Sequence, residues 1–440
     1  MKLRISPRSS SPDSTLDSSA RKLLTKVGVG VILCALLLVT AAVAQGRKLT
    51  VLHAFEGVDG GNPLYAGLVR DSEGNLYGTT NSGGDLACSN GSGCGTVFKV
   101  AANGEETVLY SFKGGADGSA PGARLWRDAA GNLYGTTQAG GISNAGTIFR
   151  LNKAGKETVL YSFTGGTDGG QPLGGLIRDS AGNFYGTTLH GGLDPLQICN
   201  SGAGCGVVFK LDLAGNETVL YSFKGETDGG ESIAGLVRDS AGNLYGTTQI
   251  GGDPDCVGGV GCGTVFKLGK TGILTTLYSF TYGTDGGQPA SDLTLDSAGN
   301  LYGTAFGGGD LSCTGGNGFG CGVVYKVDTA GQETVLYAFT GGRDGRSPYA
   351  GVIRDAAGDL WGTTILGGAF NNGVVYRVNP AGKEIVLHSF TGGVDGAIPY
   401  AGVIRDLAGN FYGTTNAGGD LTCGNVNGCG TVFKIAAVAP

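Results

Sequence analysis

The segment Asn75-Leu76-Tyr77-Gly78-Thr79-Thr80 decides the fold, because it recurs along the whole chain. Its aromatic position returns after 57, 51, 60, 57, 59 and 51 residues. The seven aromatic residues are Tyr77, Tyr134, Tyr185, Tyr245, Tyr302, Trp361 and Tyr412. Self-similarity at such a period indicates one repeat domain, rather than the two or three separate domains that 440 residues would otherwise suggest.

Four short runs of β-like composition lie in each repeat. In the third repeat they cover residues 175–179, 183–188, 206–211 and 217–223, and we call them strands a, b, c and d. The links a–b and c–d contain Asp-Ser-Ala-Gly-Asn and Asp-Leu-Ala-Gly-Asn, in which glycine supplies a positive φ and Asp or Asn bonds the local backbone. Such short turns make consecutive strands antiparallel neighbours. The 88 glycines and the charged fraction of 15% also suit many short strands better than helices.

Stacking seven four-stranded antiparallel sheets around an axis would bury both faces of every sheet, which predicts an all-β, seven-bladed β-propeller. A linear solenoid would bury them as well, but it leaves two open ends. The order of the runs favours the ring, because the chain begins with a d-type run at 50–55 and ends with a c-type run at 430–435. We expect the N-terminal d strand to pair with the C-terminal blade, which closes the ring without free edges.

Residues 1–44 differ from the rest of the chain. A basic, serine-rich stretch precedes an apolar run at 27–39, and Ala42-Val43-Ala44 has the small-x-small pattern of a signal-peptidase site. We therefore predict a cleaved signal peptide at 1–44 and a single propeller domain at 45–440. An uncleaved anchor is the alternative, because 27–44 is close to the minimum of about 17 residues that spans a bilayer.

Cleavage would remove six basic and two acidic side chains, so the formal net charge would change from −6 to −10. A chain this acidic disfavours nucleic acid and anionic membrane surfaces as partners.

The repeated units Gly-Asn-Leu-Tyr-Gly-Thr-Thr, Gly-Thr-Val-Phe-Lys and Glu-Thr-Val-Leu-Tyr-Ser-Phe carry a family resemblance. They resemble the GloVer (Gloeobacter/Verrucomicrobia-type) tandem-repeat family of bacterial exported proteins, over about residues 48 to 436. The resemblance implies a repeat fold and export, and it implies no reaction. We expect a secreted, periplasmic or cell-surface protein of a bacterium, with no membrane contact once the signal peptide is cleaved.

Ten of the eleven cysteines form five local pairs, all in b–c loops. The pairs are Cys88 with Cys94, Cys199 with Cys205, Cys256 with Cys262, Cys313 with Cys321, and Cys423 with Cys429. The second and sixth repeats lack both partners and have shorter b–c loops, which predicts local disulfides in an exported chain. Zinc is the alternative, but each loop offers only two cysteines and the chain has three histidines.

In an antiparallel blade the a–b and c–d turns lie on one side of the ring, the turn face, and the b–c and d–a loops lie on the other, the loop face. The variable, cysteine-bearing loops make the loop face the predicted binding surface. The d–a loops also repeat Gly-x-Asp-Gly, which places seven carboxylates around this face. They belong to Asp59, Asp117, Asp168, Asp228, Asp285, Asp344 and Asp395. We interpret them as turn residues, with calcium ligation as the alternative, and expect no other cofactor.

Strand a ends in Arg-Asp in six repeats, and the fifth has Leu295-Asp296 instead. The pairs are Arg70-Asp71, Arg127-Asp128, Arg178-Asp179, Arg238-Asp239, Arg354-Asp355 and Arg405-Asp406. We expect each arginine to brace a neighbouring turn or carbonyl while the aspartate opens the a–b turn. An anion site of converging guanidinium groups is the alternative.

No catalytic motif stands out. The chain has no Gly-x-Ser-x-Gly elbow, paired-histidine metal motif or phosphate loop with lysine, and His53 and His388 replace tyrosine at one position of strand d. Only His190 lies on the expected loop face. We therefore favour a monomeric, non-catalytic binding or interaction module that uses the b–c and d–a loops for a protein, peptide or glycan, whose identity the sequence does not specify.

The alternative function is an extracellular polysaccharide-active enzyme, a hydrolase or lyase, with carboxylates from the unequal loops as acid and base. The carboxylates that depart from the repeat are Asp194, Asp253, Asp255 and Glu231, and no spacing singles out a pair.

Overall fold

The computed structural model describes residues 48–437 except 66, 194–198, 200–201, 257–258, 314–318 and 424–426. The predicted signal peptide at 1–44 lies outside the described residues.

Seven four-stranded antiparallel sheets, the blades, follow one another along the chain. The chain begins with β1 (Leu49–Ala54). Blades 1 to 6 each contain four consecutive strands in the order a to d: β2 (Val69–Arg70), β3 (Leu76–Thr80), β4 (Thr96–Val100) and β5 (Glu106–Ser111); β6 (Trp126–Arg127), β7 (Leu133–Thr137), β8 (Thr147–Leu151) and β9 (Glu157–Ser162); β10 (Ile177–Arg178), β11 (Phe184–Thr187), β12 (Val207–Leu211) and β13 (Glu217–Ser222); β14 (Val237–Arg238), β15 (Leu244–Thr248), β16 (Thr264–Leu268) and β17 (Leu274–Ser279); β18 (Thr294–Leu295), β19 (Leu301–Ala305), β20 (Val323–Val327) and β21 (Glu333–Ala338); β22 (Ile353–Arg354), β23 (Leu360–Thr364), β24 (Val374–Val378) and β25 (Glu384–Ser389). Blade 7 contains β26 (Ile404–Arg405), β27 (Phe411–Thr415), β28 (Thr431–Ile435) and, as its strand d, β1. The predicted seven-bladed propeller is confirmed.

Blade 7 joins the two ends of the chain, as the order of the runs predicts. β1 pairs antiparallel with β28, with Leu49 opposite Ile435 and Ala54 opposite Thr431. The last blade therefore gains its fourth strand from the first described residues, and the ring is closed by backbone hydrogen bonds.

The innermost strand, a, is shorter than the sequence predicts, and the outermost strand, d, has a bulge that the sequence did not predict. Strand a spans only two residues, such as Ile177–Arg178, where five are predicted, because it pairs with strand b only next to the a–b turn. Strand d carries a register shift against strand c in every blade; in blade 3, Val208 pairs with Tyr221 and Phe209 with Val219. Such a bulge increases the local twist.

Aromatic side chains of strands c and d form the core between blades. Phe163, directly after strand d of blade 2, contacts Phe209 in strand c of blade 3 edge to face, with ring centroids 5.2 Å apart. Phe55 contacts Phe98 in the same way across the seam between blades 7 and 1. These rings are fully buried, so each seam excludes water with large apolar groups.

Among the described residues, no helix combines the length and the apolar character that crossing a membrane requires.

Candidate functional site

Five disulfides connect the cysteine pairs that the sequence predicts, one in each of five b–c loops. The Cα–Cα distances lie between 5.1 Å, for Cys199 and Cys205, and 6.1 Å, for Cys423 and Cys429. Each bridge links a cysteine within a b–c loop to a second cysteine that lies two residues before strand c begins. The number of disulfides is typical of proteins that fold in an oxidising compartment.

The seven aspartates of the d–a loops hold their own loops together. In the loop between blades 1 and 2, Asp117 accepts hydrogen bonds from the Tyr110 hydroxyl at 3.0 Å and from the Lys113 backbone N–H at 2.9 Å. Where histidine replaces the tyrosine, His53 and His388 bond Asp59 at 2.8 Å and Asp395 at 2.9 Å. These contacts support the interpretation of the aspartates as turn residues. They also give the two histidines a polar role that tyrosine fills in the other blades.

One group of described residues could hold a metal ion. It lies at the seam between blades 7 and 1, where His53, Asp59 and Glu106 bring one ligand atom each within 4.8 Å of one another. The calcium alternative that the sequence raises for the seven aspartates stays a prediction.

A ring of exposed apolar side chains surrounds the loop face, and every one of the seven b–c loops contributes to it. Ile142 is 89% exposed and Phe370 is 58% exposed. The b–c loop members are Leu86, Ile142, Leu193, Val260, Leu311, Phe319, Phe370 and Leu421, and the d–a loops add Val58 and Val394. On the turns of the opposite face the exposed large apolar residues are Leu213, Ile273 and Leu407. The loop face is therefore the more apolar of the two faces.

An aromatic cluster lies on the ring axis at the loop-face end of the strands a. Tyr65 stacks on Tyr349 with ring centroids 5.4 Å apart, and Tyr400 contacts both rings edge to face. Leu173 and Ile233, from blades 3 and 4, pack against the same cluster. Burial raises the pKa of the Tyr400 hydroxyl. The three tyrosines follow the Gly-x-Asp-Gly turn of the d–a loop in blades 1, 6 and 7. Sequence reasoning did not single them out, because each is an ordinary aromatic residue in its own repeat.

The strands a surround a central cavity of about 850 Å³ that extends from this cluster to the a–b turns. In five repeats a glycine lines the cavity, three residues before the end of strand a. Glycine is needed there because neighbouring backbones come close. A Cβ on Gly351, for example, would lie 2.3 Å from the Asp292 carbonyl oxygen. Arg124 and Asp292 replace glycine at this position in blades 2 and 5. Asp292 accepts a hydrogen bond from the Gly235 backbone N–H at 2.6 Å. Aligning the repeats position by position would have revealed both charged residues.

On the turn face, the Arg-Asp pairs stabilise turns and contacts between blades, which is the role favoured in the sequence analysis. Asp71 accepts hydrogen bonds from the backbone and side-chain N–H groups of Asn75 and from the Tyr77 hydroxyl. These hydrogen bonds lower the pKa of Asp71 against the opposing effect of burial, so the carboxyl stays ionised. Arg127, from the next blade, lies with its guanidinium carbon 5.4 Å from the centre of the Tyr77 ring. The arginines therefore connect neighbouring blades rather than converge on one anion.

Five blades begin strand d with a glutamate that lies near an aspartate of the preceding d–a loop. Desolvation, with a smaller contribution from the nearby aspartate, raises the pKa of each to about 7. In each case one buried carboxylate oxygen has no hydrogen-bond partner among the described residues. The glutamates are Glu106, Glu157, Glu217, Glu333 and Glu384. Their position between blades is a feature that the sequence reasoning missed.

The catalytic candidates come from separate loops, the b–c loops and one d–a loop. Asp194 lies outside the described residues, and Asp253 accepts a hydrogen bond from the Asp255 backbone N–H at 3.0 Å, as turn residues do. Glu231 has a φ of 55° at the d–a loop, and burial raises its pKa. His190 lies in the b–c loop of blade 3, where burial lowers its pKa.

The Gloeobacter/Verrucomicrobia repeat matches residues 38–198, 166–318 and 311–439, which together cover all seven blades. The chain belongs to this repeat family. In this chain the recurring Asn-Leu-Tyr-Gly-Thr-Thr segment forms strand b of one blade after another. No curated protein matches the chain in sequence.

Solved structures with a similar fold come from proteins with different functions. A virginiamycin B lyase from Staphylococcus aureus matches with a TM-score of 0.54 and 13% identity, over 89% of this chain and 99% of that chain. A fungal alcohol oxidase in complex with copper has a TM-score of 0.52 and 15% identity, over 89% and 77%. The extracellular domain of a one-component system from B. thetaiotaomicron has a TM-score of 0.51 and 10% identity, over 88% of this chain and 40% of that chain. At these identities the likeness establishes the propeller fold of this repeat-family member and nothing about its activity.

Proposed function

We propose that this protein is an exported, non-catalytic interaction module whose loop face binds a protein or peptide partner. The observation that carries the proposal is the ring of exposed apolar side chains, to which all seven b–c loops contribute. Exposed apolar groups concentrated on one face are typical of protein–protein contact surfaces. Export accords with the five disulfides and with the predicted signal peptide.

The described residues of the loop face include covalent and hydrogen-bonded anchor points for its loops. In the five longer loops a disulfide closes the part of the loop next to strand c, and the aspartates of the d–a loops anchor the connections between blades. A surface whose loops are ordered before binding loses less conformational entropy on association. The same scaffold therefore holds the anchor points of loops of different sequence, which is how repeat proteins build specific surfaces.

A peptide-display library screened on the purified protein tests this proposal. A variant with Leu86→Ser, Ile142→Ser and Phe370→Ser removes apolar groups from three b–c loops, and we expect at least a tenfold loss of affinity for the selected peptides. The matched control is Leu213→Ser, Ile273→Ser and Leu407→Ser, which removes the same number of exposed apolar groups from the turn face. This control variant should bind normally, and equal loss in both variants would contradict the proposal.

A glycan array and a polysaccharide panel with reducing-end detection separate the remaining outcomes. Binding to a glycan but to no peptide would assign the loop face to a carbohydrate ligand, and release of new reducing ends would assign an enzyme. Either result would overturn the proposed protein-binding role.

A further inference from the structure

The seam between blades 4 and 5 differs from the other six on the turn face. In five repeats the arginine that ends strand a lies 5.2 to 5.8 Å from the centre of the aromatic ring in strand b of the preceding blade. A sixth arginine, Arg238, is close enough to Tyr185 for its charge to lower the pKa of that hydroxyl against the larger effect of burial. The fifth repeat has Leu295 at this position, so no arginine of that strand reaches Tyr245 of blade 4. The proposed binding role of the loop face does not explain why Leu295 replaces the arginine.

The filled seams define what a guanidinium group contacts there. Arg405 lies 5.6 Å from the centre of the Trp361 ring, and its guanidinium donates to Asp355 at 3.1 Å. Arg178 donates from Nε to the Gly182 carbonyl in its own a–b turn at 3.0 Å. In these filled seams a guanidinium group therefore lies over an aromatic face of the preceding blade and also donates either to a carboxylate of that blade, as Arg405 does, or to a carbonyl of its own a–b turn, as Arg178 does.

The same three groups surround a solvent-open cavity at the seam between blades 4 and 5. It measures about 460 Å³ and is lined by Tyr245 and Asp239 of blade 4 and by Leu295, Asp296 and Gly299 of blade 5. Gly299 occupies the turn position of Gly182, and Asp239 the position of Asp355. The cavity thus keeps the ring and the turn, while the arginine that would lie between them is replaced by leucine. The Asp239 carboxylate differs from that of Asp355, because its Oδ2 already accepts hydrogen bonds from the Asn243 side-chain amide at 2.7 Å and from the Tyr245 hydroxyl at 3.1 Å. It therefore offers a guanidinium group its negative charge and its remaining acceptor capacity.

Two basic residues near the cavity do not take the place of the absent guanidinium group. Lys267 lies 5.8 Å from the centre of the Tyr245 ring, but Lys434 lies 5.8 Å from Tyr412, whose ring also contacts Arg70 at 5.7 Å. The Tyr412 ring therefore contacts a lysine and an arginine at the same time, so Lys267 beside Tyr245 does not occupy the place of the arginine. Arg238 also lines the cavity, yet it belongs to the preceding seam, where its charge lowers the pKa of the Tyr185 hydroxyl against the larger effect of burial.

We propose that the cavity between Tyr245, Asp239 and Gly299 binds the guanidinium group of an arginine side chain from a protein or peptide partner. A planar guanidinium can stack on the tyrosine while donating to the carboxylate and the turn carbonyl, which a compact ammonium group cannot do at once. Asp239 and Asp296 add negative charge at the opening. The site is on the turn face and does not depend on the binding role of the loop face.

Capped tripeptides test the proposal directly. We expect acetyl-Gly-Arg-Gly-amide to bind in saturation-transfer NMR with a Kd on the order of 1 mM, as one cation–π contact and one charge-assisted hydrogen bond would give. The lysine and citrulline peptides, which carry an ammonium and a neutral isostere, should bind at least tenfold more weakly. Equal binding of the citrulline peptide, or no saturable binding of the arginine peptide, would overturn the proposal. Free arginine is a further arm, and binding of it at least tenfold tighter than the capped peptide would rule out a partner protein as the source of the guanidinium.

Two variants act in opposite directions. Leu295→Arg supplies the guanidinium from within the chain, as six repeats do, and should lower affinity for the arginine peptide at least tenfold. Arg354→Leu removes the guanidinium that lies 5.2 Å from the Tyr302 ring, and should create a second site and double the bound peptide at saturation. If one variant fails to fold, the other still decides. Unchanged stoichiometry in folded Arg354→Leu, or unchanged affinity in folded Leu295→Arg, would contradict the proposal.

Discussion

Gly246 in strand b of blade 4 lies against the ring of Phe266 in strand c. A Cβ at Gly246 would be 2.7 Å from the ring carbon Cζ of Phe266, which is fully buried. The Gly-Thr-Thr part of the repeat therefore keeps space for the aromatic residue of the next strand, and this close approach explains why glycine is found where a strand would otherwise favour a larger residue.

We expect Gly246→Ala to destabilise the protein by about 1–3 kcal/mol, because the added methyl group forces a buried ring to move. Urea denaturation of the purified protein measures the change. The matched control is Gly115→Ala, because a Cβ at Gly115 would meet no atom within 4 Å. The control should change stability by less than about 1 kcal/mol. Equal destabilisation by both substitutions would contradict the packing role of Gly246.

The glutamates at the starts of strands d predict how stability depends on pH. Burial raises the pKa of Glu157, Glu217 and Glu333 to about 7, above the ordinary value of 4.5. The folded state therefore binds more protons than the unfolded state between these values, and this contribution to stability is complete below pH 4.5 and is lost as the pH rises through 7. Thermal melts should give a higher Tm at pH 5 than at pH 8.

A variant with Glu157→Gln, Glu217→Gln and Glu333→Gln tests the cause of this pH dependence. The amide is close in size to the carboxyl group and does not titrate, so the difference in Tm between pH 5 and pH 8 should shrink. A wild-type Tm that rises from pH 5 to pH 8, or a variant with an unchanged profile, would exclude the glutamates as its source.

At the scale of the element, the sequence predicts strands and turns better than it predicts the contacts between blades. The Asp-x-x-Gly-Asn turns and the cysteine pairs are local, so residue type and spacing are enough to identify them. The two-residue length of strand a depends on the neighbouring backbones around the axis, as the close approach of Gly351 to Asp292 illustrates. The apolar ring of the loop face was also missed, because an exposed Ile142 looks like any core residue until its loop is placed.

The disulfide loops should be local stabilisers rather than conditions for folding. Cys199 and Cys205 enclose a short loop and are fully buried, whereas the corresponding loop of blade 2 has no cysteines. We expect the double substitution Cys199→Ser and Cys205→Ser to cost roughly 2 kcal/mol or more, from loop closure in the chain-entropy model and from burial of two hydroxyl groups. Urea denaturation measures this cost.

Intact-mass analysis after alkylation, with and without reduction, provides the independent check on the bridges. Alkylation of the unreduced exported chain should leave ten cysteines unmodified, and reduction should expose all ten. Free thiols before reduction, or a double serine variant that does not fold at all, would contradict a purely local role for the disulfides.

At the scale of the whole molecule, the ring depends on one strand supplied by the other end of the chain. The sequence could reveal this closure because the runs begin with type d and end with type c. β1 contributes Leu49 to Ala54 as the outer strand of blade 7, and Phe55 packs against Phe98 of blade 1. Without this strand, β28 becomes an open edge and the seam between blades 7 and 1 loses a buried aromatic residue.

Deletion of residues 48–56 should therefore lower the Tm substantially, because it removes a strand pairing and the fully buried Phe55. Truncation of a buried phenylalanine to alanine alone costs about 3–5 kcal/mol of stability. The matched control is a circular permutant that begins at Gly57 and carries residues 48–56 after Ile435, joined through the Asp-Leu-Ala-Gly-Asn turn of residues 212–216. This permutant keeps every strand and restores the c–d connection that the other six blades use, so its Tm should return close to that of the unpermuted chain. An unchanged Tm on deletion would exclude closure of the ring by β1, whereas a low Tm in both proteins would mean that the native chain ends, rather than the strand itself, stabilise blade 7.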